Sequence, residues 1–208
     1  MRASSSSYLH QTLKIKYRYE HLNGSVYFSI YDNQDNWVGY INANATKVAD
    51  NAAGAVLFSG QYGTVTSKNY SIWQNFSWKE KNKSANVYGQ TLQVKRYYNH
   101  FNGSTYYSLY DNRGTWQGYI NSGGMKMADN AAGSAQSYHK KIKFTQNFPL
   151  WQNFNWKKKS TVTDAMKQET YEARYVYRHF NGSNYLSIYD NKGIWQGYIN
   201  ESATRQVN

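Results

Sequence analysis

One block of sequence returns at a fixed distance of 79 residues, and this period limits the chain to a tandem architecture. The block reads His21-Leu-Asn23-Gly24-Ser25, then Tyr27-Phe-Ser-Ile-Tyr31-Asp32-Asn33, then Trp37-Val-Gly39-Tyr40-Ile41-Asn42. It recurs from His100 through Tyr110 and Trp116 to Asn121, and again from His179 through Tyr189 and Trp195 to Asn200. A second signature lies between the blocks: Trp73-Gln-Asn-Phe76-Ser-Trp78, repeated as Trp151-Gln-Asn-Phe154-Asn-Trp156. The third repeated element, Ala49-Asp50-Asn51-Ala-Ala-Gly54 and Ala128-Asp129-Asn130-Ala-Ala-Gly133, is small, polar and glycine-terminated. It reads as a linker between units. The expected units are therefore 1–48, 60–127 and 141–207. The first lacks a Trp-x-x-Phe-x-Trp segment and is expected to be incomplete on its N-terminal side, as a piece of a longer exported chain would be.

Each block reads as a β-meander. Leu13, Ile15, Tyr17 and Tyr19 alternate with Lys14, Lys16 and Arg18, the period-two signal of a half-buried strand. Asn23-Gly24 predicts a tight hairpin in which both residues take positive φ. A second strand is expected at about 26–31 and a third at 37–42, with Asp32-Asn33 turning the chain between them. Along the second strand one parity drifts in type but stays apolar: Phe28/Ile30, Tyr107/Leu109 and Leu186/Ile188. Such drift is what a core tolerates when size and apolarity suffice. The other parity is identical in every copy and is read as an outer, binding face. Three strands bury too little to stand alone. The Trp-x-x-Phe-x-Trp segments are expected to add the strands that close a small barrel. No stretch carries a sustained helical period with caps, so the fold class is all-β.

Charge then narrows the partner. Lys and Arg number 24 against 12 Asp and Glu, a formal net charge of +12, which favours a polyanionic ligand. The absence of cysteine excludes disulfides, thiolate metal sites and cysteine nucleophiles. No apolar run approaches membrane-spanning length, so membrane insertion is not expected. Met1-Arg2-Ala3 and the serines after it lack the apolar stretch of a secretory signal. His21, His100 and His179 precede the same turn in each copy without an acidic cluster, which fits turn packing better than metal ligation. Asp32, Asp50, Asp111, Asp129 and Asp190 recur at turns or linkers, where Asp bonds its own backbone. Glycoside hydrolysis needs one carboxylate pair in a cleft, and a pattern repeated in every unit argues against it. No catalytic residue, metal site or cofactor is expected.

The aromatic residues are the candidate ligand contacts: Tyr31, Tyr110 and Tyr189; Tyr40, Tyr119 and Tyr198; and Trp37, Trp116 and Trp195. Barrel core is the plainer role for the tryptophans, and cross-strand pairing an equal alternative for the tyrosines. Lysines flank the second signature at Lys79 and Lys81, Lys140 and Lys141, and Lys157 and Lys158. A solvated face is the plain reading of such runs. Aromatics beside lysines also suit single-stranded nucleic acid.

Asn-Gly-Ser, Tyr-Tyr-Ser-Leu-Tyr-Asp-Asn and Gly-Tyr-Ile-Asn together resemble the bacterial SH3-like and GW-type wall-binding repeats of Gram-positive surface proteins. The dialect is most similar to repeats of Lactobacillus surface proteins, S-layer anchoring regions and autolysins. Gly39-Tyr40, Gly118-Tyr119 and Gly197-Tyr198 stand where the GW type has Gly-Trp. The resemblance implies tandem SH3-like barrels. It also implies extracellular, non-covalent attachment to teichoic acid, lipoteichoic acid or another wall polysaccharide, beside a catalytic or effector domain elsewhere in the parent chain. Host glycosaminoglycan and single-stranded nucleic acid are the alternative partners.

Overall fold

A computed structural model describes residues 4–207, so the Met1-Arg2-Ala3 start of the first expected unit lies outside the described residues. The chain is nearly all β, in three antiparallel sheets. The first holds β1 (Lys14–Glu20), β2 (Val26–Tyr31) and β3 (Trp37–Asn42) in that order. The second holds β4 (Leu57–Val65), β5 (Ser71–Trp73), β6 (Glu80–Lys83), β7 (Thr91–Asn99), β8 (Thr105–Tyr110), β9 (Trp116–Asn121) and β10 (Met125–Ala128). Its hydrogen-bonded order is β10-β4-β7-β8-β9-β5-β6, open at both ends. The third holds β11 (Gln136–Phe144), β12 (Pro149–Trp151), β13 (Lys158–Thr161), β14 (Tyr171–Arg178), β15 (Asn184–Tyr189), β16 (Trp195–Asn200) and β17 (Thr204–Gln206). Its order, β13-β12-β16-β15-β14-β11-β17, matches that of the second. The expected second and third strands of the first copy lie at β2 and β3.

Among the described residues, helix is confined to α1 (Asp164–Gln168) and short 3-10 turns. Sequence periodicity gives no sign of α1 because it is only five residues long and rests on its cap. Thr163 Oγ1 accepts from the Met166 amide at 3.3 Å, and Asp164 pairs with Lys167 at 2.6 Å.

The Asn-Gly hairpins differ from the expected two-residue turn. Only the glycines take positive φ, as at Gly24 with 80°. The Gly24 amide donates to His21 O and the His21 amide to Ser25 O, so the loop is a type I turn closed by a left-handed glycine. Asn23 serves through its side chain, accepting from the Ser25 amide at 2.9 Å. The alternation of the first strand is also interrupted. A bulge inserts Lys16 between Ile15 and Tyr17, Lys95 between Val94 and Arg96, and Arg174 between Ala173 and Tyr175. A bulge re-aims its extra side chain. Each of these cations is turned onto a tyrosine of the next strand: Lys16 over Tyr31, Lys95 over Tyr110 and Arg174 over Tyr189, at 4.0, 4.3 and 4.1 Å.

Val65, Ile72, Leu92, Val94, Leu109 and Ile120 form the core of the second sheet, and Ile142, Leu150, Leu186, Ile188 and Ile199 lie in that of the third. Gly118 shows how tightly β5 lies on β9. Its φ is 125°, and a Cβ there would stand 2.5 Å from Ile72 Cγ2 and 2.8 Å from Trp73 O. Gly39 meets nothing within 4 Å, since among the described residues the first sheet has no strand beside β3 in this place.

The repeated Ala-Asp-Asn-Ala-Ala-Gly elements lie between sheets, but they are packed. Ala53 and Ala132 are buried. Phe101 N donates to Ala52 O and Phe180 N to Ala131 O, each at 2.8 Å, pinning each element to the hairpin turn of the following sheet. On the other side, Gly54 and Gly133 sit so close to Thr12 and Thr91 that a Cβ would fall 1.8 and 1.9 Å from their hydroxyls. Gln136 Nε2 and Arg178 Nη1 reach back to the carbonyls of Gly89 and Tyr88 at 2.8 and 3.0 Å.

Candidate functional site

The second signature forms a hairpin whose tip is built by one asparagine. Asn75 Oδ1 accepts from the Ser77 and Lys79 amides, and the Gln74 amide donates to Lys79 O at 2.7 Å. Closing this turn puts Trp78 at φ 62°, a region disfavoured for a bulky side chain. Trp156 takes the same φ of 62°. Left-handed backbone at a non-glycine residue costs about 1–3 kcal/mol. Ring packing offsets it, at about 0.5–1.5 kcal/mol per aromatic pair. Trp78 lies 5.4 Å from Trp73, 5.2 Å from His100 and 5.4 Å from Tyr106. Trp156 repeats the set with Trp151, His179 and Tyr185 at 5.5, 5.4 and 5.2 Å. Both indoles nevertheless stay 39% and 38% exposed.

Phe76 lies at the centre of this cluster. It stacks on Tyr119 at 4.6 Å and touches Tyr98, His100 and Tyr106, and Phe154 does the same with Tyr198, Tyr177, His179 and Tyr185. Burial, with the Tyr98 hydroxyl beside it, pushes the Tyr119 phenol up to about 12. Burial likewise raises Tyr177, next to Tyr198. Burial lowers the pKa of His100 and His179, whose Nδ1 atoms accept from the Asn102 and Asn181 amides at 3.0 Å. Turn packing thus describes the histidines. Among the described residues, no three His, Asp or Glu side chains gather as metal ligands would.

These contacts correct the expected outer face of the second strand. In β8, Tyr106 and Ser108 are buried, and in β15 so are Tyr185 and Ser187. The aromatic hairpin lies over this face, making it a second, aromatic core. The serines are identical because each accepts an indole N–H at 3.1 Å: Trp37 to Ser29, Trp116 to Ser108 and Trp195 to Ser187.

The sequence-predicted residues fall into distinct places. Trp37, Trp116 and Trp195 lie edge-on to Tyr40, Tyr119 and Tyr198 at 5.2–5.3 Å. Tyr119 and Tyr198 are half-buried beneath a phenylalanine, whereas Tyr40, with no such cover, is 60% exposed. Tyr31, Tyr110 and Tyr189 are half-buried, each with a bulge cation on its ring. Lys79 and Lys157 follow the strained tryptophans and are exposed. Lys81 lies over Trp116 at 4.4 Å. Its counterpart is Lys159 over Trp195 at 4.2 Å, while Lys158 stands opposite Trp151 where Glu80 stands opposite Trp73. Lys140 and Lys141 lie on β11, separated from β12 by three strands in the hydrogen-bonded order. They are not brought to the aromatic hairpin. Sequence reasoning gave Trp78 and Trp156 to the barrel strands. The signal that they differ was the asparagine three residues before each, a turn former facing a bulky residue.

Beside the hairpin lies an open hollow of about 280 Å³, lined by Asn51, Ala52, Gln74, Asn75, Phe76, Ser77 and Tyr119.

No protein-family model and no curated protein matches the chain. Among solved structures, the chain is similar to a protein from Listeria monocytogenes assigned as an autolysin. The two share 13% identity over 86% of this chain and 74% of that one, with a TM-score of 0.36. At that level neither fold nor function passes from one chain to the other.

Proposed function

We propose that the chain is a non-catalytic, polymer-binding repeat region, made of SH3-like units at about 1–48, 60–127 and 141–207, that holds a secreted Gram-positive protein on its cell wall. The observation that carries this reading is the duplicated aromatic hairpin. The same strained, half-exposed tryptophan is held over the same ring cluster in both places, with a cation on the neighbouring indole. A site that recurs along a chain suits a ligand that recurs along a polymer, and tandem weak sites gain avidity from effective concentration. Exposed indole faces suit sugar rings or polymer backbone. The net charge of +12 suits a polyanion, for which teichoic or lipoteichoic acid is the proposed ligand. Catalysis belongs, on this reading, to another domain of the parent protein, outside the cell like this one.

Co-sedimentation with purified Gram-positive walls tests the proposal. The chain should pellet with intact walls and stay in solution after teichoic acid extraction. The double substitution Trp78→Ala with Trp156→Ala should abolish pelleting. Undiminished binding to extracted walls would point to a neutral wall polysaccharide. Preference for heparin or oligo-deoxythymidine over walls would overturn the assignment in favour of a host glycosaminoglycan or single-stranded nucleic acid.

A further inference from the structure

The hollow beside the aromatic hairpin has walls from two places in the chain. Gln74, Asn75, Phe76 and Ser77 come from the hairpin and Tyr119 from β9, but Asn51 and Ala52 come from the packed element that joins the first sheet to the second. That element cannot drift away. Ala52 O is held by Phe101 N, and Asn51 Oδ1 accepts from the Ala53 amide at 2.9 Å. Asn75 is fixed in the same manner, its Oδ1 taken by two backbone amides. Both asparagines therefore have their acceptors satisfied locally and turn their NH2 groups outward. Among the described residues, neither these NH2 groups nor the Gln74 side-chain amide and Ser77 hydroxyl have a hydrogen-bond partner. No charged side chain lines the hollow.

The same parts recur at the second junction. Asn130 Oδ1 accepts from the Ala132 amide at 2.9 Å, Ala131 O is held by Phe180 N, and Asn153 Oδ1 accepts from the Asn155 and Lys157 amides. Phe154 lies tilted over Tyr198 at 4.5 Å. Among the described residues, the first sheet has its Tyr40 but neither a hairpin nor a preceding packed element.

We infer that each junction carries a subsite for one uncharged, hydroxyl-rich residue of the bound polymer, a glycosyl or polyol unit. An aromatic floor with several fixed amide groups, each able to donate and, at glutamine, to accept, is the equipment for recognising hydroxyls. The lysines and indoles would engage the rest of the polymer. This rests on the polymer-binding reading above and adds a count. Sites belong to junctions rather than to repeats, so the chain has two of them, although the His-x-Asn-Gly-Ser block occurs three times.

The test is a titration of the isotope-labelled full chain with neutral glycosyl-polyol units, released from wall teichoic acid by hydrofluoric acid cleavage of its phosphodiesters. Side-chain amide resonances of Asn51, Gln74 and Asn75, and of Asn130, Gln152 and Asn153, should shift with a stoichiometry of two and little change between low and high salt. Gln74→Ala with Gln152→Ala alters exposed side chains and should leave the melting temperature in place. It should remove those shifts and weaken pelleting with intact walls about tenfold. Three equivalent sites, or shifts confined to tryptophans and lysines, would overturn the inference. So would wild-type pelleting by the double variant, which would leave the wall-binding reading standing. A wild-type chain that fails to pellet with walls overturns both.

Discussion

Trp78 and Trp156 are held in a conformation that suits glycine, and their stability is therefore open to an unusual comparison. Trp78→Gly loses the ring but relaxes the backbone at φ 62°, whereas Trp78→Ala loses the ring and keeps the strain. Glycine should therefore be the milder substitution, by about 1 kcal/mol, reversing its usual rank below alanine. Urea denaturation of the two variants measures the difference, and equal stabilities would show that no strain is stored there. His100 and His179 give a second residue-scale expectation. Burial places their folded pKa below that of the unfolded chain, about 6.5. The unfolded state then binds more protons below that pH, so stability is full above about 6.5 and falls as pH drops toward the folded pKa. Melting temperature should fall between pH 7.5 and 5, more steeply than in the double variant His100→Asn with His179→Asn. Asparagine keeps an acceptor for the turn amide but does not titrate in this range. Identical slopes would show that the carboxylates, not these imidazoles, set the acid limit.

At the scale of elements, β5 is the strand on which the aromatic hairpin depends, and Gly118 is what lets it close on β9. Gly118→Ala should cost about 1–3 kcal/mol by overpacking and loosen the hairpin, while Gly39→Ala, with open space beside it, should cost less. Thermal melts of the two variants decide this, and comparable losses would show that backbone conformation alone, not the passage of β5, demands glycine. The same elements show what could be read beforehand. The meander was legible because alternation and turn residues are local signals: β2 and β3 lie where period and Asp-Asn turn put them. Two features were not legible. A bulge is one extra residue in an otherwise regular pattern, and Lys16 reads simply as a solvent-side member of an alternating strand until the register slips, as it does again at Lys95 and Arg174. The buried second face of β8 depends on a hairpin more than 20 residues upstream, a non-local cover that period-two reasoning does not see. Identity of Ser29, Ser108 and Ser187 across the copies suggested a binding face, yet an indole hydrogen bond constrains a serine as firmly as a ligand would.

For the whole molecule, charge and tandem connection work together. If a polyanion is the ligand, wall binding should weaken steeply with added salt, because exposed ion contacts are screened beyond about 8 Å at physiological ionic strength. Pelleting that is unchanged across the salt range would place the affinity in aromatic and amide contacts alone. The packed junctions add a condition of another kind. Phe101 and Phe180 grip their preceding elements at the same 2.8 Å, and Thr12 and Thr91 crowd Gly54 and Gly133 at nearly equal distances. Joints packed in this way restrict how the two hairpins can move against each other, so their spacing belongs to the fold rather than to a tether. A flexible tether would let each site find its own place on a polymer. A spacing set by packed joints instead demands that the polymer present its units in step, and it disfavours chains of the right chemistry but the wrong period.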